Sequence, residues 1–269
     1  MDTPAPNLTP RQQREREFYR DYSARHSDEE VNFDPVLGEE RRPWNSYWRL
    51  YQVVQDAYES PSQRLLDFGC GLGNASMCHA RIGYRVSGFD VCDENIVACR
   101  RRAERYGVAD RTDFSIQAAE SLAYPDDTFD VVAGFDILHH VEVEPALREA
   151  RRVLKPGGIA VFREFLEVPG FDAFRNSAVG RWLVPKETSL SEHRTEDEEK
   201  LTREQMEIVR NVFPDSELIR FNLVSRVKKF LPNPHPERPS RIEKLDQSIF
   251  RRLPFTRQFG GDALMILRK

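Results

Sequence analysis

Short apolar runs alternate with longer amphipathic segments through the middle of the chain, from about residue 64 to residue 163. The apolar runs have the length and the branched or aromatic side chains of buried strands, and the amphipathic segments end at glycines, as helices do. Strands alternating with helices at this spacing predict a parallel sheet covered on both faces. The predicted strands are 64–68, 84–89, 112–117, 129–135 and 159–163. The predicted helices are 74–82, 94–106 and 145–154.

The alternation stops at both ends of the chain. Residues 1–60 predict a helical cap, with helices at 11–24 and 44–58, ahead of a main domain at 61–269. Beyond residue 164 the pattern is mixed, and Thr202 and Gln205 form a capping-box sequence that opens a helix. The later predicted elements are a helix to residue 212, a strand at 217–227, a proline-rich loop at 232–239, a helix at 241–252 and a last strand at 262–268.

Composition narrows the class of protein. The 269 residues contain no apolar run of the roughly 20 residues that cross a bilayer, and the first ten lack the layout of a signal peptide. The four cysteines form no CxxC pair, so we expect reduced buried thiols, no metal site and a cytoplasmic protein. The net charge of -4 argues against a dedicated nucleic-acid binder, although residues 226–269 carry 11 basic and 4 acidic residues.

A glycine-rich turn at residues 69–73 is the most informative feature of the sequence. Glycines at 69, 71 and 73 follow a predicted strand and precede a predicted helix, so the backbone can approach a ligand at a helix N-terminus. Asp67 lies two residues before the turn, and Asp90 ends the next strand, where a carboxylate can accept bonds from ribose hydroxyls. Dinucleotide enzymes require a third glycine at the position of Asn74, which disfavours an NAD-dependent oxidoreductase.

Five motifs in this order resemble one family. The motifs are LLDFGCGLGNAS at 65–76, Asp90, AESLAYPDDTFD at 119–130, ILHHV at 137–141 and RRVLKPGG at 151–158. They resemble motifs of class I S-adenosylmethionine-dependent methyltransferases, in the branch of ubiquinone and menaquinone biosynthesis. The resemblance implies an α/β, Rossmann-like sheet of seven mostly parallel strands in the order 3-2-1-4-5-7-6, the last antiparallel. It also implies S-adenosylmethionine as cofactor and S-adenosylhomocysteine as product. The implied cofactor-binding residues are Tyr22, Asp67, Gly69, Cys70, Gly71, Gly73, Asp90, Val91, Ala119, Glu120 and Phe135.

One position departs from the family's pattern. The branch commonly has an aspartate before the AE dipeptide, whereas this chain has Ala118. We therefore expect the adenine to be recognised by backbone groups near Ala119 and by Glu120.

The resemblance points less clearly to the chemistry. Transfer from a sulfonium needs alignment and a dry site, and needs a general base only when the nucleophile carries a proton. We expect such a base beyond the carboxyl ends of strands four and five, where His140 and Glu164 lie, or in the charged segment around His193. Aromatic residues of the N-terminal helices, Tyr19, Tyr22, Trp44 and Trp48, are expected to close the cofactor pocket.

These features predict a methyltransferase that acts on an O, N or C nucleophile of a small molecule. An RNA or protein methyltransferase and a non-catalytic S-adenosylmethionine-binding regulator stay open as alternatives. Residues 165–212 are the expected substrate-facing insertion, whose aromatics favour an apolar or aromatic acceptor. The basic insertion at 228–260 favours an anionic substrate or a peripheral contact with an anionic membrane. We expect no nucleic-acid partner, and the sequence does not indicate an oligomeric state.

Overall fold

The structure is a computed structural model of the 269-residue chain. It describes residues 8–39, 41–168, 170, 200–225 and 238–269. Most of the predicted insertion, including His193, and the first ten residues of the basic insertion lie outside this part of the chain. No helix among the described residues is both long and apolar enough to cross a bilayer.

Seven strands form one sheet in the order β3-β2-β1-β4-β5-β7-β6. Neighbouring strands pair in parallel from β3 to β5, whereas β7 runs antiparallel to both β5 and β6. The predicted fold class, strand order and antiparallel last strand are confirmed. The strands are β1 (Arg64–Phe68), β2 (Arg85–Asp90), β3 (Thr112–Ile116), β4 (Phe129–Phe135), β5 (Leu154–Phe165), β6 (Asp215–Phe221) and β7 (Asp262–Arg268).

Helices cover both faces of this sheet. Two buried apolar clusters, one on each side, contain alternate residues of the central strands, as a sheet buried on both faces requires. The described helices are α1 (Pro10–His26), α2 (Asp34–Leu37), α3 (Ser46–Asp56), α4 (Asn74–Ile82), α5 (Asp93–Arg105), α6 (Val143–Val153), α7 (Arg203–Val212) and α8 (Arg241–Arg252). Short 3₁₀ helices lie at Ala109–Arg111, Leu138–His140 and Pro254–Phe259.

Local signals in the sequence place several ends correctly. Thr202 caps α7 through the predicted capping box, in which its side chain accepts a bond from the Gln205 amide. The structure differs from the prediction at the start of β5, because the prediction left residues 155–158 between a helix at 145–154 and a strand at 159–163. They belong to the strand, because Leu154 already pairs with Phe129 before a register shift leads to the pairing of Val131 with Ile159.

Strand direction decides which loops meet. Because β1, β2, β4 and β5 are parallel, the loops after them lie at one edge of the sheet, the carboxyl edge. β6 runs in the same direction as β5, since both are antiparallel to β7. The end of β6 and the start of β7 therefore lie at the carboxyl edge as well. Ligands of open α/β sheets bind at such an edge, near the point where the strand order reverses.

Candidate active site

A cavity of about 450 Å³ lies at the carboxyl edge, where β1 adjoins β2 on one side and β4 on the other. Its floor is made by the turns after these strands, and α1 and α3 supply the side that faces them. The floor carries acids and glycines, whereas α1 and α3 contribute mainly tyrosines. The cavity therefore combines a polar floor with an aromatic cover, a combination common in ligand sites.

The glycine turn forms part of the floor because its backbone takes conformations that side chains disfavour. Gly69, Gly71 and Gly73 have φ values of 74°, 50° and 80°. A Cβ on Gly71 would meet no atom within 4 Å, so this glycine leaves open space beside the cavity. A Cβ on Gly73 would lie 2.8 Å from the Sγ of Cys99. Gly73 therefore permits the packing of α5, and it does not line the cavity.

Two buried carboxylates border the turn. Asp67 is 1% exposed and accepts a hydrogen bond from the Ser76 hydroxyl, and burial raises the pKa of its carboxyl to about 7. Asp90 accepts bonds from the amides of Gly71, at 3.0 Å, and Cys92, at 2.9 Å. Burial also raises the pKa of Asp90, and these amide bonds oppose the rise. Asp90 thus fixes the loop after β1 to the loop after β2 while it borders the cavity.

Helix α1 lies across the cavity and is held there by polar contacts. The Gln12 amide donates to Glu120 at 2.8 Å, and Arg16 and Arg20 form ion pairs with Asp93 and Glu94 at the start of α5. Tyr19 and Tyr22 project from the same helix face into the cavity. The spacing of Gln12, Glu15, Tyr19 and Tyr22, three or four residues apart, places all four side chains on one side of a helix.

His140 meets α1 inside the cavity. Its Nδ1 lies 3.1 Å from a carboxylate oxygen of Glu15, and the Tyr19 hydroxyl lies 3.2 Å from its Nε2. The imidazole and the Glu15 carboxylate are both less than a tenth exposed. The two imidazole nitrogens thus lie beside a buried carboxylate and a tyrosine hydroxyl, an arrangement in which a histidine can act as a general base.

Glu164 lies behind the cavity wall. It is fully buried, and one oxygen accepts the amides of Ile137, at 2.8 Å, and Leu138, at 2.6 Å. The other oxygen lies 2.7 Å from Nδ1 of His139. Glu164 does not line the cavity, because its side chain projects to the opposite face of the sheet from that of Arg163. Its contacts fix the backbone that leads from β4 to His140.

A second polar group lies on the α3 side. The Asp136 carboxylate accepts bonds from the Tyr47 hydroxyl and from Arg163, and Arg163 also contacts Asp262 at 2.7 Å. Arg163 is 1% exposed and its guanidinium lies 4.2 Å from the Tyr47 ring centre. The Tyr47 ring is stacked on Phe135. This side of the cavity therefore offers aromatic surface around one partly buried carboxylate. Desolvation raises the pKa of Asp136, and the neighbouring Arg163 opposes that rise.

The structure brings most of the sequence-predicted residues together. Glu164 and Gly73 lie outside the cavity lining, and His193 lies outside the described residues. Of the aromatic residues expected to close the pocket, Tyr19 and Tyr22 do so, but Tyr47 and Tyr51 take the place expected for Trp44 and Trp48. The predicted residues that line the cavity are Tyr22, Asp67, Gly69, Cys70, Gly71, Asp90, Val91, Ala119, Glu120, Phe135 and His140.

Comparison with known proteins identifies part of the chain. Residues 66–162 match the family model described as a methyltransferase domain. The 27-O-demethylrifamycin SV methyltransferase of Amycolatopsis mediterranei is 37% identical over 128 residues, which are 45% of this chain and 47% of that protein. The ubiquinone biosynthesis O-methyltransferase of Cereibacter sphaeroides is 36% identical over 141 residues, 50% of this chain and 56% of that one. The chain thus spans about half the length of these curated relatives.

Solved structures share the fold. The geranyl diphosphate C-methyltransferase of Streptomyces coelicolor superimposes with a TM-score of 0.61 at 15% identity, over 98% of each chain. The (4+2)-cyclase SpnF superimposes with a TM-score of 0.53 at 23% identity, over 86% of this chain and 84% of that one. At these identities the likeness concerns the fold alone. Residues 66–162, which contain the glycine turn and most of the cavity floor, are therefore the part of the chain that is similar to a methyltransferase domain.

Proposed function

We propose that this protein transfers a methyl group from S-adenosylmethionine to a small-molecule acceptor and releases S-adenosylhomocysteine. The observation that carries the proposal is the cavity floor, where Asp67, Gly71 and Asp90 border one space at the carboxyl edge of a sheet with the methyltransferase strand order. The match of residues 66–162 to a methyltransferase domain supports the same reaction. Residues 1–60 would serve as the cap, and 61–269 as the main domain.

The donor groups around the cavity fit this cofactor. The Asp67 carboxylate would bind the ammonium of the amino-acid end, and Asp90 would accept bonds from the ribose hydroxyls. The open space beside Gly71 admits a ligand close to the backbone. Ala119 and Glu120 border the place expected for the adenine, and Glu120 is also bonded to Gln12 of α1 and to the Glu142 amide. Tyr19 and Tyr22 would cover the cofactor and exclude water.

When bound, the cofactor supplies an electrophilic methyl group on a sulfonium whose leaving group is a neutral thioether. The protein must then align the acceptor and remove its proton where the nucleophile is a hydroxyl or an ammonium. His140 is the proposed base: its Nδ1 lies 3.1 Å from the Glu15 carboxylate and its Nε2 lies 3.2 Å from the Tyr19 hydroxyl, and all three side chains line the cavity. Glu164 is proposed as a positioning residue, since its oxygens are bonded to the segment that carries His140. A catalytic role of His193 stays a prediction.

The acceptor is proposed to be a small molecule with an apolar or aromatic body. Tyr47, Tyr51 and Phe135 supply aromatic surface on the α3 side, and Asp136 supplies one polar group there. The relatives named for ubiquinone and rifamycin methylation support this class. An anionic acceptor and a cytoplasmic location remain predictions, the latter supported by four free, buried cysteines.

The release of S-adenosylhomocysteine tests the proposal. The protein is incubated with S-adenosylmethionine and separate pools of phenols, amines, prenylated quinones, RNA and protein, and product is measured by mass spectrometry. We expect S-adenosylhomocysteine in equal amount to a product that is heavier by one methylene. Matched His140→Asn and Asp113→Asn variants distinguish catalysis from general damage, because Asp113 is exposed on β3. Tight binding of S-adenosylmethionine without release by any pool favours the non-catalytic regulator, and release only with RNA or protein favours the other alternative.

A further inference from the structure

The outward side of α8 and of the 3₁₀ helix at Pro254–Phe259 carries an unusual charge distribution. Between residues 238 and 261 every basic side chain is exposed, and none of them forms an ion pair with another described residue. We call this face the cationic–apolar surface. Its cations are Arg238, Arg241, Lys244, Arg251, Arg252 and Arg257.

The two acids of the same segment are turned inward. Glu243 is 9% exposed and completes the N-terminal capping box of α8 with Ser240. Asp246 is 4% exposed and accepts bonds from the amides of Leu223, Val224 and Ser225, which follow β6. The acids thus attach α8 to the domain, and the cations on the outer side have no ion-pair partner within the part of the chain that the structure describes.

Apolar side chains are exposed among these cations. Leu245, Leu253 and Phe255 are 49%, 47% and 64% exposed, although apolar side chains of this size are usually buried. Leu245 follows Arg241 by four residues and precedes Arg252 by seven, which places these three side chains on one side of α8. Leu253 and Phe255 follow directly after the last turn of α8, between the arginine pair and Arg257.

The surface lies at the carboxyl edge of the sheet. α8 is attached to the residues that follow β6, and the 3₁₀ helix leads directly into Asp262, the first residue of β7. The end of β6 and the start of β7 share this edge with the cavity floor. Four strand spacings separate β1 from β6, a distance of roughly 19 Å across the sheet.

We propose that the cationic–apolar surface docks the protein on an anionic lipid bilayer. Cations attracted to anionic headgroups, combined with exposed leucine and phenylalanine side chains that enter the interface, are the two components of peripheral membrane binding. The carboxyl edge of the sheet then lies toward the membrane. Docking does not depend on the proposed methyl transfer, because it is measured as binding without turnover.

The types and charges of the exposed side chains favour a bilayer over RNA and over a second copy of the chain. RNA recognition relies on aromatic or planar side chains that stack on bases, whereas two of the four large apolar side chains exposed on this surface, Leu245 and Leu253, are leucines. A second copy of the chain bound through this same face would bring the cations of both copies together, which costs free energy.

Sedimentation of the full chain with vesicles tests the proposal. One set of vesicles is phosphatidylcholine alone, and the other contains one third phosphatidylglycerol. We expect the wild type to bind the second set of vesicles, and we expect salt to weaken this binding. The double variant Arg251→Gln with Arg252→Gln should have a partition coefficient about 25-fold lower, which is about five-fold for each cation removed. Leu253→Ser with Phe255→Ser should lower it at least about ten-fold.

Matched controls carry the same changes on other faces. Arg151→Gln with Arg210→Gln removes two exposed arginines from α6 and α7, and Leu37→Ser with Val97→Ser removes two exposed apolar side chains from α2 and α5. Each control should leave vesicle binding within about two-fold. Three outcomes overturn the proposal: no binding to the anionic vesicles, equal losses in the control and test variants, or binding to single-stranded RNA without binding to vesicles. Circular dichroism of every variant verifies that it is folded.

Discussion

Asp67 couples cofactor affinity to pH. Burial raises the pKa of its carboxyl from 3.8 to about 7, and the carboxylate, not the acid, pairs with an ammonium group. Below about pH 7, binding of the cofactor must therefore displace a proton from Asp67. From about pH 8.5 to about pH 5.5 the ionised fraction of the free protein falls about 30-fold. We expect the apparent dissociation constant of S-adenosylhomocysteine to rise by that factor over the same range.

The Asp67→Asn variant should separate binding from stability. Its amide oxygen can still accept a hydrogen bond from the Ser76 hydroxyl. The loss of a charge-assisted bond should nevertheless weaken S-adenosylhomocysteine binding by about 10- to 150-fold near pH 8 and flatten its pH dependence.

The stability of the wild type also depends on this proton. The unfolded wild-type chain loses the Asp67 proton near its ordinary pKa, whereas the folded chain keeps it to about pH 7. The free energy of unfolding therefore falls between these values as pH rises, by about 4 kcal/mol at most.

Asn at position 67 removes this cost, so the variant should be more stable than the wild type near pH 8 and little different near pH 4. Isothermal titration calorimetry measures the affinities, and urea unfolding measures the stabilities. Asp113→Asn, on the exposed side of β3, serves as the control that should change neither quantity. An unchanged dissociation constant of the wild type across the pH range would refute the reasoning, as would a wild-type pH slope in the variant.

Three further predictions concern other parts of the site. In steady-state assays His140→Asn should lower kcat about 100-fold or more, and Glu15→Gln should lower it about ten-fold. Both variants should bind S-adenosylhomocysteine within about three-fold of the wild-type affinity. Equal losses of affinity and kcat would contradict the proposed base. Arg163→Met should lower the free energy of unfolding by about 3 kcal/mol in urea, because its two carboxylate partners lose their cation, and an unchanged midpoint would show that the pair adds nothing. Gly73→Ala should lower the melting temperature measured by circular dichroism, because its Cβ would meet Cys99 at a φ of 80°; a wild-type melting temperature would contradict this.

The floor of the site could be predicted from the sequence because its residues are local. The glycines at 69 and 71 follow a strand directly, and Asp90 ends the next one, so the pattern of strand, turn and helix places all three. The parallel central sheet followed from the alternation of elements, and the strand order from the family resemblance. The floor and the parallel pairing are thus features that short-range sequence order indicates, whereas the strand order is not.

The cover of the site could not be predicted in the same way. Glu15 and His140 are 125 residues apart, and nothing local indicates that α1 places one against the other. The apolar pattern of α3 identified its aromatic residues but not its rotation, which directs Tyr47 and Tyr51 into the cavity and buries Trp48 elsewhere. Glu164 was expected in the crevice because it ends a strand, but adjacent strand residues face opposite ways, and the register places Arg163 on the α3 side.

Native mass spectrometry tests the central claim most directly, since it counts ligands bound to the intact chain. The protein is mixed near pH 8 with equal amounts of S-adenosylmethionine and NAD. The account predicts one S-adenosylmethionine per chain, displaced by S-adenosylhomocysteine and strongly reduced in the Asp67→Asn variant. A chain that binds neither ligand, or that binds NAD in place of S-adenosylmethionine, would contradict it.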